Sequence, residues 1–167
     1  MSIEITRATQ ADIKGILRLL RQVLEVHHKG RPDMFKAGAT KYTENELTEL
    51  LNDDERPVFV AKTGGRMLGY TFCIIKCIKN DNILRDTKTL YIDDLCVDEQ
   101  ERGAGIGRAL YEHARCYAKE IDCYSLTLNV WECNPGARRF YEAMGLIPRS
   151  TRRRNRYAPE SNEDAGS

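Results

Sequence analysis

The sequence predicts an α/β fold in which helices flank one mixed sheet. Two observations indicate this class. Short β-type runs alternate with amphipathic runs, in the order strand, two helices, several strands, helix, strand, helix and strand. The chain has 167 residues, of which 41% are hydrophobic and 31% are charged, as expected for one globular domain with its own core. We expect this domain over residues 1–157 and a polar, disordered tail over residues 158–167.

The predicted strands are apolar or β-branched runs bounded by turn residues. They cover residues 3–6, 57–63, 67–78, 90–97, 124–130 and 146–154. The predicted helices repeat apolar residues at spacings of three and four. They cover residues 13–27, 43–51, 110–121 and 134–144. Thr9–Asp12 and Thr43–Glu46 resemble capping boxes, and Gly64-Gly65 is typical of a hairpin turn. Gly145 is placed to end the last helix.

Charge and composition exclude several classes of protein. The net charge is +1, which argues against bulk binding of nucleic acid and against electrostatic attachment to a membrane. No apolar run approaches the roughly 20 residues of a membrane span, and the first residues lack the apolar core of a signal peptide. We therefore expect a cytoplasmic protein. The six cysteines lack the spacing of a disulfide framework or a zinc site, so we expect free thiols and no metal.

A glycine-rich segment lies between the strand at residues 90–97 and the next helix. It consists of Arg102, Gly103, Ala104, Gly105, Ile106, Gly107 and Arg108. Backbone N–H groups of such a loop can converge on a phosphate at a helix N-terminus. One alternative is a glycine-rich turn without a ligand. Another is a dinucleotide-binding oxidoreductase, whose G-x-G-x-x-G motif requires glycine where Arg108 stands.

The order Arg-Gly-x-Gly-Ile-Gly after a strand resembles the acetyl-CoA loop of the GNAT superfamily of N-acetyltransferases. A second segment, Asn129 to Leu146, resembles the other signature of that superfamily, with Asn134, Ala137, Phe140, Tyr141 and Gly145 in the expected order. The resemblance covers roughly residues 90–148. It implies a central, mostly antiparallel sheet flanked by helices, with acetyl-CoA as cosubstrate and no metal. Relatives are often dimers, so a homodimer is compatible with it.

The strand Tyr91 to Val97 resembles the Tyr-Leu-Glu-Asp-Phe-Phe-Val strand of the diamine (spermidine/spermine) acetyltransferase branch. Asp93 stands in place of the glutamate that this branch is thought to use as base, and it is one methylene shorter. An alkyl amine has a pKa of about 10.4, so it must lose a proton before it attacks a thioester. Asp94 and Glu132 are the other candidate bases. Strand alternation places Asp93 and Asp94 on opposite faces.

The remaining roles follow from the resemblance. Tyr141 takes the place of the general acid, with a core aromatic beside Phe140 as the alternative. Backbone N–H groups of the strand end would hold the pantetheine arm and the oxyanion, and Asn134 would contact that arm or cap its helix. The expected acetyl-CoA contacts are Leu95, Cys96, Val97, Arg102, Gly103, Ala104, Gly105, Ile106, Gly107, Arg108, Asn134 and Tyr141.

The sequence therefore predicts an acetyl-CoA-dependent N-acetyltransferase acting on a small-molecule or peptide amine. Direct transfer is favoured over a Cys96 nucleophile, because neither motif contains a histidine to activate the thiol. A non-catalytic acyl-CoA sensor is the alternative function. The loops at residues 29–42 and 80–87 are expected to set specificity, and the first can roof the substrate site. The basic cluster between Arg149 and Arg156 fits an edge strand better than a nucleic-acid arm.

Overall fold

The structure is a computed structural model and describes residues 2–130, 135–150 and 153. Within these residues, the strands are β1 (Glu4–Arg7), β2 (Val58–Thr63), β3 (Arg66–Ile78), β4 (Thr87–Val97) and β5 (Ser125–Leu128). The helices are α1 (Ile13–Gly30), α2 (Glu44–Leu51), α3 (Ile106–Glu120) and α4 (Pro135–Ala143). The predicted α/β class is confirmed.

The described strands form one sheet in the order β1-β2-β3-β4-β5. Neighbours from β1 to β4 are antiparallel, and β4 pairs with β5 in parallel, as helix α3 crosses between them. The mostly antiparallel sheet is thus confirmed. Pairing between β4 and β5 ends at Ile92 and Leu128, whereas β4 continues to Val97. Among the described residues, the last part of β4 is consequently paired only with β3.

Two hydrophobic clusters lie on opposite faces of the sheet. Helices α1 and α2 cover one face, where Leu20 and Leu47 pack with Tyr70 of β3. Helix α3 covers the other face, where Ala114 packs with Leu90 of β4. Burying each large apolar side chain contributes roughly 1.5–3 kcal/mol. The sheet is therefore held rigidly between helices, and the two faces of β4 meet different surroundings.

The local turn and cap signals are confirmed. The Thr9 amide donates to Asp12 Oδ2 at 2.8 Å, and the Thr43 amide donates to Glu46 Oε2 at 2.7 Å. In the β2–β3 hairpin turn, Gly64 and Gly65 have φ values of +53° and +80°, which favour glycine. These short-range signals could be predicted because each depends on residues at most three apart.

Several predicted boundaries differ from the structure. Helix α1 extends to Gly30 rather than to residue 27, and β4 begins at Thr87 rather than at residue 90. Helix α3 begins at Ile106 rather than at residue 110, because Gly105 adopts φ +81° and accepts the Ala109 amide at 3.0 Å. Residues 146–150 form no strand, so the predicted last strand is wrong for those residues. Ile147 is 86% exposed there, and Pro148 lacks the amide that a sheet ladder needs. Residues 151, 152 and 154, and the predicted tail, lie outside the described residues.

Candidate active site

Strand β4 contains a β-bulge at Asp93. Phe72 of β3 pairs with Asp94, and the next residue of β3 pairs with Ile92, so Asp93 has no opposite residue. An extra residue in one strand shifts the alternation of its side chains. Accordingly, Ile92 packs in the cluster under α3, whereas Cys96 packs in the cluster under α1 and α2. After the bulge, each side chain of β4 thus lies on the opposite face of the sheet from the one that regular alternation would give.

Asp93 and Asp94 lie on the same face of the sheet because of this bulge. Asp93 contacts Lys41 from the α1–α2 connection, and Asp94 contacts Tyr70, which packs under α1. The prediction that the two carboxylates project to opposite faces is therefore wrong. Strand alternation predicted it, and a one-residue bulge overrides alternation without a clear signal in the sequence.

Asp94 lies in a poorly hydrated environment. Its Oδ2 accepts a hydrogen bond of 2.8 Å from the hydroxyl of Tyr70, whose side chain is fully buried. Burial raises the pKa of Asp94 to about 6, against the opposing effect of the Tyr70 hydrogen bond, which favours the charged form. A carboxylate with such a pKa can exchange a proton near neutral pH, as a general base must.

Asp93 forms an ion pair with Lys41. The Lys41 Nζ lies 2.6 Å from Asp93 Oδ2, and the two side chains are 34% and 20% exposed, respectively. Burial lowers the pKa of Lys41, but the hydrogen bond to Asp93 and the negative charge of Asp93 outweigh it and leave the pKa raised. The α1–α2 connection thereby places an ammonium group beside the acidic pair.

Asp94→Asn should raise the free energy of unfolding near neutral pH by on the order of 1–3 kcal/mol. The pKa of Asp94 is about 6 in the folded chain against an ordinary 3.8, so the folded state holds the proton more tightly. Wild-type stability therefore falls as pH rises between these two values, and the full penalty is present above the higher one. Asparagine carries no charge and avoids this penalty.

Urea unfolding at about pH 4 and about pH 7.5 measures this effect. The variant should exceed the wild type at the higher pH, and the two should converge at the lower pH. Asp54→Asn serves as the control, because the Asp54 side chain is fully exposed. An Asp94→Asn advantage that is the same at both pH values would contradict the titration argument.

The end of β4 presents backbone donors on its open side. The Asp98 amide donates to Leu68 O of β3 at 2.8 Å. Because N–H directions alternate along a strand, the Cys96 amide also points towards β3. The amides of Leu95 and Val97 point the other way, into a gap beside β4 that no described strand fills. Of the three predicted backbone contacts, Leu95 and Val97 are therefore the ones whose N–H groups lie on this side, and the Leu95 amide also donates to the Asp94 carboxylate.

The glycine loop leads from β4 into α3. Gly103 and Gly105 have φ values of +87° and +81°, which side chains rarely adopt. A Cβ at either position would have no atom of the described chain within 4 Å, so the loop surface is open. Helix α3 directs the N–H groups of its first turn, from Ile106 to Arg108, towards this opening. The loop therefore has the features of an anion site.

Neighbouring elements hold the glycine loop in place. Asp98 accepts hydrogen bonds from Arg18 Nη1 at 2.6 Å and from the Gln100 amide at 3.2 Å. A Cβ at Gly107 would lie 3.3 Å from the ring of Phe140, so this glycine lets α3 pack closely against α4. Among the predicted acetyl-CoA contacts, Gly107 thus has a packing role as well, and the sequence showed no sign of it.

Tyr141 of α4 is half-buried. Its ring packs edge-to-face on Phe140, with the centroids 5.1 Å apart. Burial raises the pKa of Tyr141, and the negative charge of Asp94 raises it further. The phenol consequently stays protonated well above neutral pH. The electrostatic effect of Asp94 indicates that the hydroxyl and the acidic pair share one region of the molecule.

The alternative chemistries have little support in the described residues. Cys96 is 3% exposed, and its Sγ lies 3.7 Å from the carbonyl oxygen of Leu19. Burial raises the pKa of Cys96 to about 12, which disfavours the reactive thiolate.

In the part of the chain that the structure describes, no three His, Cys, Asp or Glu residues are grouped as metal ligands. None of the described helices has the length and apolar character of a membrane span.

Several predicted residues lie outside the described ranges, and other residues emerge only from the structure. Glu132, Asn134 and the arginines at 152, 154 and 156 are not described. Lys41 and Tyr70 were not singled out from the sequence. Lys41 is one of three lysines in the predicted roof loop, and only the fold brings it to Asp93. In the sequence, the only sign of a role for Tyr70 is that its hydroxyl lies on an otherwise apolar strand.

A bulged strand, a glycine loop and a helix N-terminus follow one another in this α/β domain. Residues 20–146 match the model of the acetyltransferase (GNAT) family, and the chain belongs to this family. It is an N-acetyltransferase. The family uses acetyl-CoA. The likeness to the diamine branch, the homodimer and the cytoplasmic location stay predictions.

Relatives share most of the chain. An uncharacterized N-acetyltransferase from Archaeoglobus fulgidus is 30% identical over 144 residues, covering 86% of this chain and 92% of that protein. The peptidyl-lysine N-acetyltransferase YjaB of Salmonella typhimurium is 28% identical over 149 residues, covering 87% and 84%. A further relative from Methanocaldococcus jannaschii is 33% identical over 97 residues. These are 58% of this chain and 42% of that protein, so the chain spans less than half of that relative.

A solved structure confirms the fold. A mutant of the BH1408 protein from Bacillus halodurans superposes with a TM-score of 0.89 at 28% sequence identity. The match covers 93% of this chain and 99% of that one. The arrangement of sheet and helices is therefore common to both proteins.

Proposed function

We propose that this chain transfers the acetyl group of acetyl-CoA to a primary amine by direct attack in a ternary complex. The observation that carries the proposal is the position of Asp93 and Asp94. They share one face at the bulge of β4, immediately before the open strand end where the amides of Leu95 and Val97 face the gap. Acid groups and oxyanion donors thus adjoin each other on one strand.

The described residues fit acetyl-CoA as cosubstrate. Gly103 and Gly105 leave open space at the N-terminus of α3, where backbone N–H groups favour a pyrophosphate. Arg102 and Arg108 are exposed at the two ends of this loop and can pair with phosphates. The open edge of β4 offers amides to an extended amide-containing arm. When bound, acetyl-CoA supplies an activated thioester.

Asp93 and Asp94 attract the amine, and one of them accepts its proton. An alkylammonium gains Coulomb attraction from Asp93 and Asp94, and Asp93 accepts its proton so that the nitrogen lone pair can attack. The Leu95 and Val97 amides then stabilise the negative charge that develops on the carbonyl oxygen. Asp94, with its pKa of about 6, is the alternative base.

Tyr141 protonates the leaving group. Its phenol keeps its proton at neutral pH because burial, followed by the charge of Asp94, raises its pKa. It can therefore donate that proton to the departing thiolate of CoA. The bond from the amine nitrogen to the acetyl carbon forms first, and the carbon–sulfur bond then breaks. The nitrogen gives up its second proton, which restores the phenol of Tyr141, and the products are an amide and CoA. No acetylated side chain is needed as an intermediate.

Gly105→Val should weaken acetyl-CoA binding by roughly 5- to 100-fold. A β-branched residue at φ +81° costs on the order of 1–3 kcal/mol, and relief of that strain would turn the loop amides away from the phosphate. Calorimetric titration with acetyl-CoA measures the change. Gly64→Val is the matched control, because Gly64 also has a positive φ and open space but lies in the β2–β3 turn. Unchanged acetyl-CoA affinity in folded Gly105→Val would remove the loop from the site.

A further inference from the structure

The α1–α2 connection, residues 31–43, seats a lysine of this chain in the acidic pair. Lys41 Nζ lies 2.6 Å from Asp93 Oδ2 and 5.6 Å from the centroid of the Tyr42 ring. Asp94 also acts on it electrostatically. The ammonium group of Lys41 thus contacts one carboxylate, is attracted by the charge of a second and lies near an aromatic ring, and such groups bind alkylammonium ions.

The ammonium group of Lys41 occupies the position that the amine of an acceptor must take beside Asp93. An amine that gives its proton to Asp93 must approach that carboxylate to within hydrogen-bond distance. Lys41 Nζ already occupies such a position. Two ammonium groups repel each other, and they compete for the same carboxylate oxygens.

We infer that Lys41 is a built-in competitor of the acceptor, filling a subsite made by Asp93, Asp94 and Tyr42 that takes an unbranched primary alkylammonium. The inference rests on the proposed function of this site and names its substrate class. The Lys41 side chain is itself such a group, four methylenes ending in an ammonium. The subsite that accommodates it can accommodate a free alkylamine or the side chain of a peptide lysine.

The surroundings of Lys41 allow this exchange. The ring of Tyr42 is fixed against Phe72, with the ring centroids 5.6 Å apart. Lys41 itself is 34% exposed, so its long side chain can swing out without unpacking the core. Tyr70 holds Asp94 from the sheet side, and this contact is independent of Lys41. The subsite therefore persists when Lys41 leaves it.

Lys41→Met keeps most of the length of the side chain and removes the charge. Calorimetric titration of this variant with pentylamine, in the presence of CoA, should show binding roughly 1.5- to 5-fold tighter than in the wild type. This is the range expected when a partly exposed ion pair no longer competes. Lys36→Met is the control, because Lys36 is exposed on the same connection, and it should bind pentylamine like the wild type. Unchanged or weaker binding in Lys41→Met would overturn the inference.

A double-mutant cycle tests whether the effect passes through Asp93. In an Asp93→Asn background, Lys41→Met should no longer tighten pentylamine binding, since the contested carboxylate is absent. An equal gain in both backgrounds would overturn the competition. Thermal unfolding and CoA affinity report whether each variant is folded. Because the titration measures binding without turnover, its outcome is separate from failure of the proposed function, which would appear as absence of acetyl transfer to every amine.

Discussion

Replacing Tyr141 by phenylalanine should lower kcat by roughly 10²- to 10⁴-fold, while acetyl-CoA affinity changes little. The substitution keeps the ring that packs on Phe140 and removes only the hydroxyl. Burial and the negative charge of Asp94 raise the pKa of this phenol, so it remains a proton donor across the working pH range. Steady-state kinetics, together with a titration of acetyl-CoA, separates the loss of catalysis from a loss of binding.

Tyr117→Phe provides the matched comparison. Tyr117 packs edge-to-face on Phe59, with centroids 5.2 Å apart, in the cluster under α3. Loss of its hydroxyl should leave kcat within a few-fold of the wild type. If Tyr141→Phe also retained near wild-type turnover, Tyr141 would be a packing residue, and the thiolate would depart without a proton from it.

Asp93→Asn should lower kcat/KM by roughly 10²- to 10⁴-fold near pH 7. The loss should shrink as the pH approaches the pKa of the amine, about 10.4. Asparagine preserves the size of the side chain and removes the charge that attracts and deprotonates the ammonium. At high pH the amine is already neutral and needs no base. A pH profile of kcat/KM for the variant and the wild type shows both effects.

Asp94→Asn separates the two candidate bases. If Asp94 is the base, wild-type kcat/KM should decrease at pH values under about 6, because this carboxyl then becomes protonated. The same decrease should be seen in Asp93→Asn. If Asp93 is the base, Asp94→Asn should keep most of the activity near neutral pH. Wild-type rates in Asp93→Asn at every pH would exclude Asp93 and leave Asp94 or Glu132 as the base.

The sequence predicted the parts of the fold that depend on local patterns. The capping boxes, the Gly64-Gly65 turn and the order of strands and helices each follow from residues close together in the chain. The glycine loop was identified for the same reason. It has an unusual composition at a strand-to-helix junction, and glycine there has a direct conformational cause in the positive φ of Gly103 and Gly105.

The arrangement of the acidic pair could not be predicted, because it depends on pairing between distant strands. Only the register of β3 against β4 creates the bulge that brings Asp93 and Asp94 to one face. Lys41 is 52 residues from Asp93, and no spacing in the sequence links them. The predicted last strand fails for a related reason, since Ile147 found no partner surface in the described residues and is 86% exposed.

Acetyl transfer to a primary alkylamine is the most direct test of the central claim. The purified chain is incubated with acetyl-CoA and a panel of amines that includes pentylamine and a lysine-containing peptide. CoA release and the masses of amine and protein are then followed together. We expect CoA and N-acetylated amine to form in equal amounts, with no acetyl group on Cys96. Binding of acetyl-CoA without CoA release for any amine, or accumulation of an acetylated Cys96, would contradict direct transfer in this site.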